Sequence, residues 1–421
     1  MRRFLVLIFL GLTVASPALA QSQPNDDNQP QNQARSENGY SLSPQKYQQA
    51  VEFSRTVYKL HFVSVAYTLI SIVGLLWFGI SSRFRDWAEA VSRRRLIQAA
   101  IFVPLLLLSI QVIKLPLSAY YHRLSVHYGL SIQSWGSWFL DWTKSALVQC
   151  VIAVVLVTVL YAVIRRSARR WWLYFGVASI PLLIFVVFIA PIVIDPLFDR
   201  FEPLQKANQA LADQIEKVVQ HAGLGIPPER LFEMKASEKV NEVNAYVTGF
   251  GSSKRVVVWD TTIEKLGLDE TLFVVGHEIG HYVLGHIAKG IALGSAAIIA
   301  ALFVVQFLTN WALARCPSRL RIRGMDDWAS LPVILLFFYL LTFVGEPVAN
   351  TYSRQVEHEA DVYGLEVIRG LVSDPSDVAA KAFQVLGEID LADPAPSAFI
   401  KFWLYDHPPL AERIKFAREH K

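Results

Sequence analysis

Six long apolar runs limit what this chain can fold into. Residues 60–80, 97–114, 146–164, 171–194, 291–313 and 331–348 are almost free of charge. As helices, each is long enough to cross or nearly cross a hydrocarbon core of about 30 Å. A soluble core can hide one such run, but not six. The whole chain is 53% hydrophobic and only 18% charged, too little polar surface to cover that many buried helices. The sequence therefore predicts an α-helical multi-pass membrane protein with the lipid bilayer as its surroundings. Inside lipid the backbone must satisfy itself, which leaves helices as the form of these runs. Pro104 and Pro116 are expected to kink or end the second.

The start of the chain reads differently. Met1-Arg2-Arg3 is basic, residues 4–14 are apolar, and Ala18-Leu19-Ala20 ends in small residues. Residues 1–20 are read as a secretory signal peptide, or as an uncleaved first span. Residues 21–45, rich in Gln, Asn, Ser and Asp, are read as a disordered linker. The four-span membrane region is then 46–194, and 290–348 carries two further spans.

Loop arginines orient the bundle. Arg83, Arg85, Arg93, Arg94 and Arg95 follow the first run; Arg165, Arg166, Arg169 and Arg170 follow the third; Arg315, Arg319, Arg321 and Arg323 follow the fifth. Positive charge in alternate loops predicts that these face the cytoplasm. Residues 118–144, 195–289 and 349–421 then lie on the periplasmic or extracytoplasmic side of the cell (inner) membrane. Residues 118–144 hold Tyr120, Tyr121, Tyr128, Trp135, Trp138, Phe139 and Trp142. They are expected to form an interfacial belt or re-entrant element, with a substrate-gripping role as the alternative. Cys150 and Cys316 sit at span ends on opposite faces, so no disulfide is expected. No basic face with interleaved aromatics suggests nucleic acid.

Chemistry enters at His277-Glu278-Ile279-Gly280-His281. On a helix the two histidines, four apart, stack on one face and can bind one metal ion together. Glu278 can then reach a water in an open metal position without being a ligand, the arrangement of a zinc hydrolase. Leu272, Val275, Ile279, Val283 and Ile287 are spaced to bury one side of that helix. Gly276, Gly280 and Gly285 would let another backbone come close. Upstream, residues 206–221 have helical period, and 231–235, 245–250 and 255–259 read as short strands with a hairpin turn at 251–254. The edge of such a sheet can hold an extended peptide by main-chain hydrogen bonds.

A catalytic zinc needs a third protein ligand. Helical period continues past the sixth run through Tyr352, Val356, Ala360, Tyr363 and Val367, and carries Glu357 and Asp361 four apart. Glu357 is the candidate, with Asp361 behind a ligating histidine; His358 and Glu359 are rivals on spacing alone. Near the end, Asp406-His407-Pro408-Pro409 holds a histidine in extended backbone.

These segments together resemble the integral-membrane zinc endopeptidases of the CAAX prenyl protease 1 (sterile-24) type. The matching pieces are Asn244 to Phe250 (NAYVTGF), Lys254 to Asp260, His277 to His286 (HEIGHYVLGH), Ser353 to Asp361 (SRQVEHEAD) and His407 to Ile414 (HPPLAERI). The resemblance implies one Zn2+ per chain on His277, His281 and Glu357, with Glu278 as general base. It implies that Asp361 orients a ligand, that His407 stabilises the oxyanion, and that Asn244 holds substrate backbone. His286 and Arg354 match as well and are read as structural. The implied fold is a multi-pass helical chamber with a small α+β zincin-type domain, assembled from 195–289 (the HExxH part) and 349–421 (the part with the third ligand). Eukaryotic members carry seven spans and a cytosol-facing site; the arginines here predict an outward site. The expected substrates are therefore membrane or exported polypeptides. The alternatives are a smaller heat-shock-type quality-control protease, or a noncatalytic scaffold or carrier whose zinc is structural.

Overall fold

The structure is a computed structural model that describes residues 39–315 and 320–420. The expected signal peptide, most of the linker, Cys316 and Arg319 lie outside these residues. Helices of at least six residues are labelled α1 to α13 in chain order, α7 being the short Asp260–Lys265.

Six of them are long and apolar enough to span a membrane. They are α1 (Pro44–Trp77), α3 (Arg95–His127), α4 (Trp135–Arg166), α5 (Trp171–Phe188), α9 (His286–Arg315) and α10 (Leu331–Val367). The six runs read from the sequence are all there, but four of the helices extend well past them. α1 begins at Pro44, where the Ser43 hydroxyl accepts from the Lys46 backbone N–H. Its first turns place Ala50 and Phe53 in a core outside the membrane bundle. α3 runs unbroken through Pro104 and Pro116 to His127, so neither proline ends it. Neighbouring helices tolerate the missing bonds in a packed bundle. The aromatic stretch 118–144 is helical over most of its length. It is the end of α3, a short turn, and the start of α4, which Ser134 caps. The fourth run is shorter than expected: α5 stops at Phe188, and a separate turn, Ala190–Val193, carries Pro191.

α2 (Ile80–Val91), not anticipated, lies between α1 and α3 at one end of the bundle. The arginine loops gather there. Arg85 bonds Asp327 at 2.6 Å and the Arg321 carbonyl at 3.0 Å. Arg323 reaches Glu89 at 2.8 Å, and Arg165 lies over the Trp328 ring. At the other end sits a cap built around a mixed sheet of order β1-β2-β4-β3: β1 (Phe201–Pro203), β2 (Leu231–Met234), β3 (Ala245–Thr248), β4 (Arg255–Trp259). β2 and β4 are parallel; the other pairs are antiparallel. Every residue of β4 is buried, as expected of a central strand reading Arg-Val-Val-Val-Trp. β3 is an edge. β1, the opposite edge, is too short to show in the sequence.

α6 (Gln209–His221), α8 (Leu268–Val283), α11 (Pro375–Ile389), α12 (Ala398–Leu404) and α13 (Leu410–Glu419) complete the cap. Leu211, Ile215, Val218, Leu272, Val275, Ile279, Phe383 and Ile414 share one core. α10 joins the two halves: from Leu331 to Glu357 it rises about 39 Å, which carries one acid from the arginine end to the cap. α8 ends sooner than its apolar spacing suggests. Gly285, at φ +70°, breaks the chain before α9. Ile287 therefore belongs to the next helix and Val283 is 41% exposed, so neither extends the buried stripe.

Candidate metal centre

The small residues of α8 are there for α10. A Cβ on Gly276 would sit 2.8 Å from Val367 Cγ1, one on Gly280 3.1 Å from Tyr363, and one on Gly364 3.1 Å from the His277 backbone nitrogen. This close crossing puts His277 and His281 of α8 against Glu357 of α10. His277 Nε2 and His281 Nε2 are 3.1 Å apart. Glu357 lies 3.2 Å from the first and 3.6 Å from the second, through its two oxygens.

The hydrogen bonds behind the imidazoles decide which ring nitrogens carry protons. Arg413 grips Asp361 from Nε at 2.8 Å and Nη2 at 2.5 Å, with its guanidinium over the Phe383 ring. An ionised Asp361 can only accept, so the 2.8 Å contact is His277 Nδ1–H donating to Oδ1. His277 Nε2 then faces the other imidazole. On the second side His286 Nε2–H donates to Glu359 at 3.1 Å. A neutral His286 has only a lone pair left at Nδ1, which accepts from His281 Nδ1–H at 3.2 Å. His281 Nε2 is thereby left bare as well. Two nitrogen lone pairs and a carboxylate converge. Glu357 Oε2 is buried, 3.2 Å from His277 Nε2 and 3.1 Å from His407 Nε2. Such a donor set is unfavourable unless a cation lies between its members, and it suits Zn2+. Burial disfavours charge on His277, yet Asp361 and Glu357 outweigh it and lift the imidazole to about 9, so that below this pH a proton occupies Nε2 until a metal ion displaces it.

His358 and Glu359 meet other partners. His358 packs its ring on Phe416 at 4.5 Å, and Glu359 is engaged by His286 and Gln355. His286 turns Nδ1 to His281 Nδ1 rather than to the converging nitrogens, so it cannot close a fourth position. The sequence reading gave His286 a structural role; the bond to His281 is a more specific one. Arg413 and Glu359 were not singled out for these positions, because their partners lie on other elements.

Glu278 projects beside the two histidines, its carboxylate within 4.8 Å of their nitrogens. It lines a cavity of ≈ 790 Å³ that runs from Val103, Leu107 and Phe338 among the spanning helices up to His281, Glu357 and His407. β3 forms one wall, from Asn244 to Gly249. The Asn244 backbone is pinned, its N–H donating to Thr262 Oγ1 at 2.7 Å and its carbonyl accepting from Trp259 N–H at 3.0 Å. Its side chain is exposed to the cavity. His407 sits in extended chain between α12 and α13, with Nε2 3.1 Å from Glu357 and Nδ1 3.1 Å from Asp406. Burial opposes its charge, but Glu357 and Asp406 prevail and raise it to about 10. Arg354 holds this loop through the Lys401 and Tyr405 carbonyls, at 3.0 and 2.5 Å.

Comparison with known proteins agrees with this architecture. The family model described as "Peptidase family M48" matches residues 205–421, and "CAAX prenyl protease N-terminal, five membrane helices" matches residues 31–200. The uncharacterized metalloprotease YhfN of Bacillus subtilis is 34% identical over 380 residues, 90% of this chain and 87% of that one. The CAAX prenyl protease 1 homolog of Arabidopsis thaliana is 25% identical over 386 residues, 89% of this chain and 88% of its own. The crystal structure of S. mikatae Ste24p shares the fold, with a TM-score of 0.76 at 21% identity over 90% of each chain. M48 metalloproteases are in general zinc-dependent. The chain belongs to peptidase family M48 and is a multi-pass membrane metalloendopeptidase.

Proposed function

We propose that the chain binds one Zn2+ on His277, His281 and Glu357 and hydrolyses peptide bonds of membrane or exported proteins, with the cap outside the cytoplasm. The observation that carries this is the convergence of two bare imidazole nitrogens and a buried carboxylate at the head of a cavity walled by spanning helices.

Zinc, when bound, supplies a Lewis acid that polarises the scissile carbonyl and acidifies a water. The residues do the rest. The open edge of β3 and the Asn244 side chain hold the peptide extended along the cavity wall. Glu278 takes a proton from the attacking water at its carboxylate and delivers it to the leaving amine nitrogen. His407 donates Nε2–H to the oxygen that gains charge. Asp361 with Arg413, and His286 with Glu359, hold the two ligating rings in one tautomer and orientation. A structural zinc would need a fourth protein ligand; the side facing the cavity is instead lined by Glu278 and the β3 edge. The match to a membrane-helix segment typical of CAAX-type proteases speaks against the smaller heat-shock type.

Removing the metal tests the activity. Purified full-length protein in detergent should lose cleavage of an unfolded membrane-protein substrate on treatment with a zinc chelator, and regain it on adding about one equivalent of Zn2+. Cleavage that persists in the metal-free protein would sink the reading.

Sidedness rests on the arginine end lying opposite the site. Reporters fused after Lys421 should be active when they require an extracytoplasmic setting and silent when they require the cytoplasm. The reverse result would move the substrates to the cytoplasmic side.

A further inference from the structure

A second cavity of ≈ 370 Å³ adjoins the site, and its lining comes from the cap alone. It meets the larger cavity along Val243, Asn244, Glu278, Asp390, Asp406 and His407. A peptide laid on β3 past Glu278 must therefore turn a side chain near the scissile bond toward this pocket.

The chemistry of the pocket is two-part. Leu266, Phe273, Val274 and Leu386 give it apolar walls. Asp390, Asp393 and Asp406 give it carboxyls. Arg413, its one lining Lys or Arg, is committed to Asp361 through two hydrogen bonds. The larger cavity has no Lys or Arg in its lining at all. Asp393 accepts from Tyr58 O–H and the Ala395 N–H, each at 3.0 Å.

Asp390 is different. It is the C-cap of α11, so its carboxylate stands at the negative end of a helix. Burial, then Glu242, raise it to about 8 against the opposing pull of Lys265. It lines the space it shares with Glu278. A carboxyl placed against both a helix end and another acid, with Lys265 only partly offsetting them, gains from a further cation.

We propose that this pocket is a specificity site for a lysine or arginine of the peptide substrate, its aliphatic stem along Phe273, Val274 and Leu386 and its cationic head on Asp390. This rests on the endopeptidase reading of the adjoining centre.

The test uses zinc-loaded full-length protein and internally quenched peptides. The peptides differ at one position at a time around the cleaved bond, with Lys, norleucine or Glu there. At one position Lys should exceed norleucine in kcat/KM by about tenfold or more, with Glu slowest. Asp390→Asn should bring the Lys-to-norleucine ratio close to one, and Asp390→Lys should turn the preference toward Glu. Each ratio comes from a single preparation, so partial misfolding of a variant cancels. No charge preference at any position, or a Lys preference that survives both variants, overturns the proposal. If no peptide is cleaved in a zinc-dependent way, the endopeptidase reading itself falls and takes the pocket with it.

Discussion

Glu278→Gln should keep its metal and lose peptide cleavage by about 10³-fold, within the range that proton transfer by a positioned group contributes. Glutamine has nearly the same shape, and Glu278 is half-buried and faces the cavity beside the two histidines. Its change should therefore disturb neither packing nor the donor set, and stability should shift by no more than about 0.5 kcal/mol. What is lost is a basic oxygen beside the attacking water, since an amide cannot take the proton. The measurement pairs zinc content per chain with single-turnover cleavage on one preparation. A Glu278→Gln enzyme that cleaves at wild-type rate would remove the general base from the mechanism. One that has lost zinc would instead make Glu278 a ligand.

How much of this could be read in advance depends on the range of the forces involved. The spans were legible because hydropathy is local: 18 or so apolar residues announce themselves wherever they sit. Helix ends were less so. α3 passes Pro116 and reaches His127 because neighbours in the bundle and cap hold it, and nothing near Pro116 in the sequence says this. α8 failed at one place for a similar reason. Its apolar period runs on to Ile287, but the left-handed Gly285 cuts it. The histidine pair was legible because helix geometry fixes a four-residue spacing. Glu357 was not separable from His358 and Glu359 by period, only by resemblance. The structure separates them by what each side chain meets across the crossing: His277 and His281, Phe416, and His286 respectively. The Arg413 clasp on Asp361 joins residues 52 positions apart, and the two cavities are spaces between elements. Neither has a signature along the chain.

Glu357→Ala should lose zinc. Its carboxylate faces both imidazoles, at 3.2 and 3.6 Å. If three ligands share an apparent zinc binding energy of about 10–16 kcal/mol, deleting one costs on the order of 3–5 kcal/mol. That is about 10²–10³-fold in affinity. The loss is specific to this acid. Glu359→Ala removes only the acceptor behind His286 and should weaken binding by about 10–100-fold at most, the usual scale for a partner behind a ligand. His358→Ala removes a ring that packs on Phe416 and should leave affinity unchanged. The fold should survive in Glu357→Ala, because the side chain borders the cavity and its removal enlarges space already there rather than opening a sealed void. Zinc retained per chain, measured after equilibration with a series of chelators of graded strength, ranks the variants directly. If Glu357→Ala holds metal as tightly as the parent chain while Glu359→Ala or His358→Ala releases it, the third ligand has been placed one or two residues too early on α10, and the converging oxygen at Glu357 serves His407 instead.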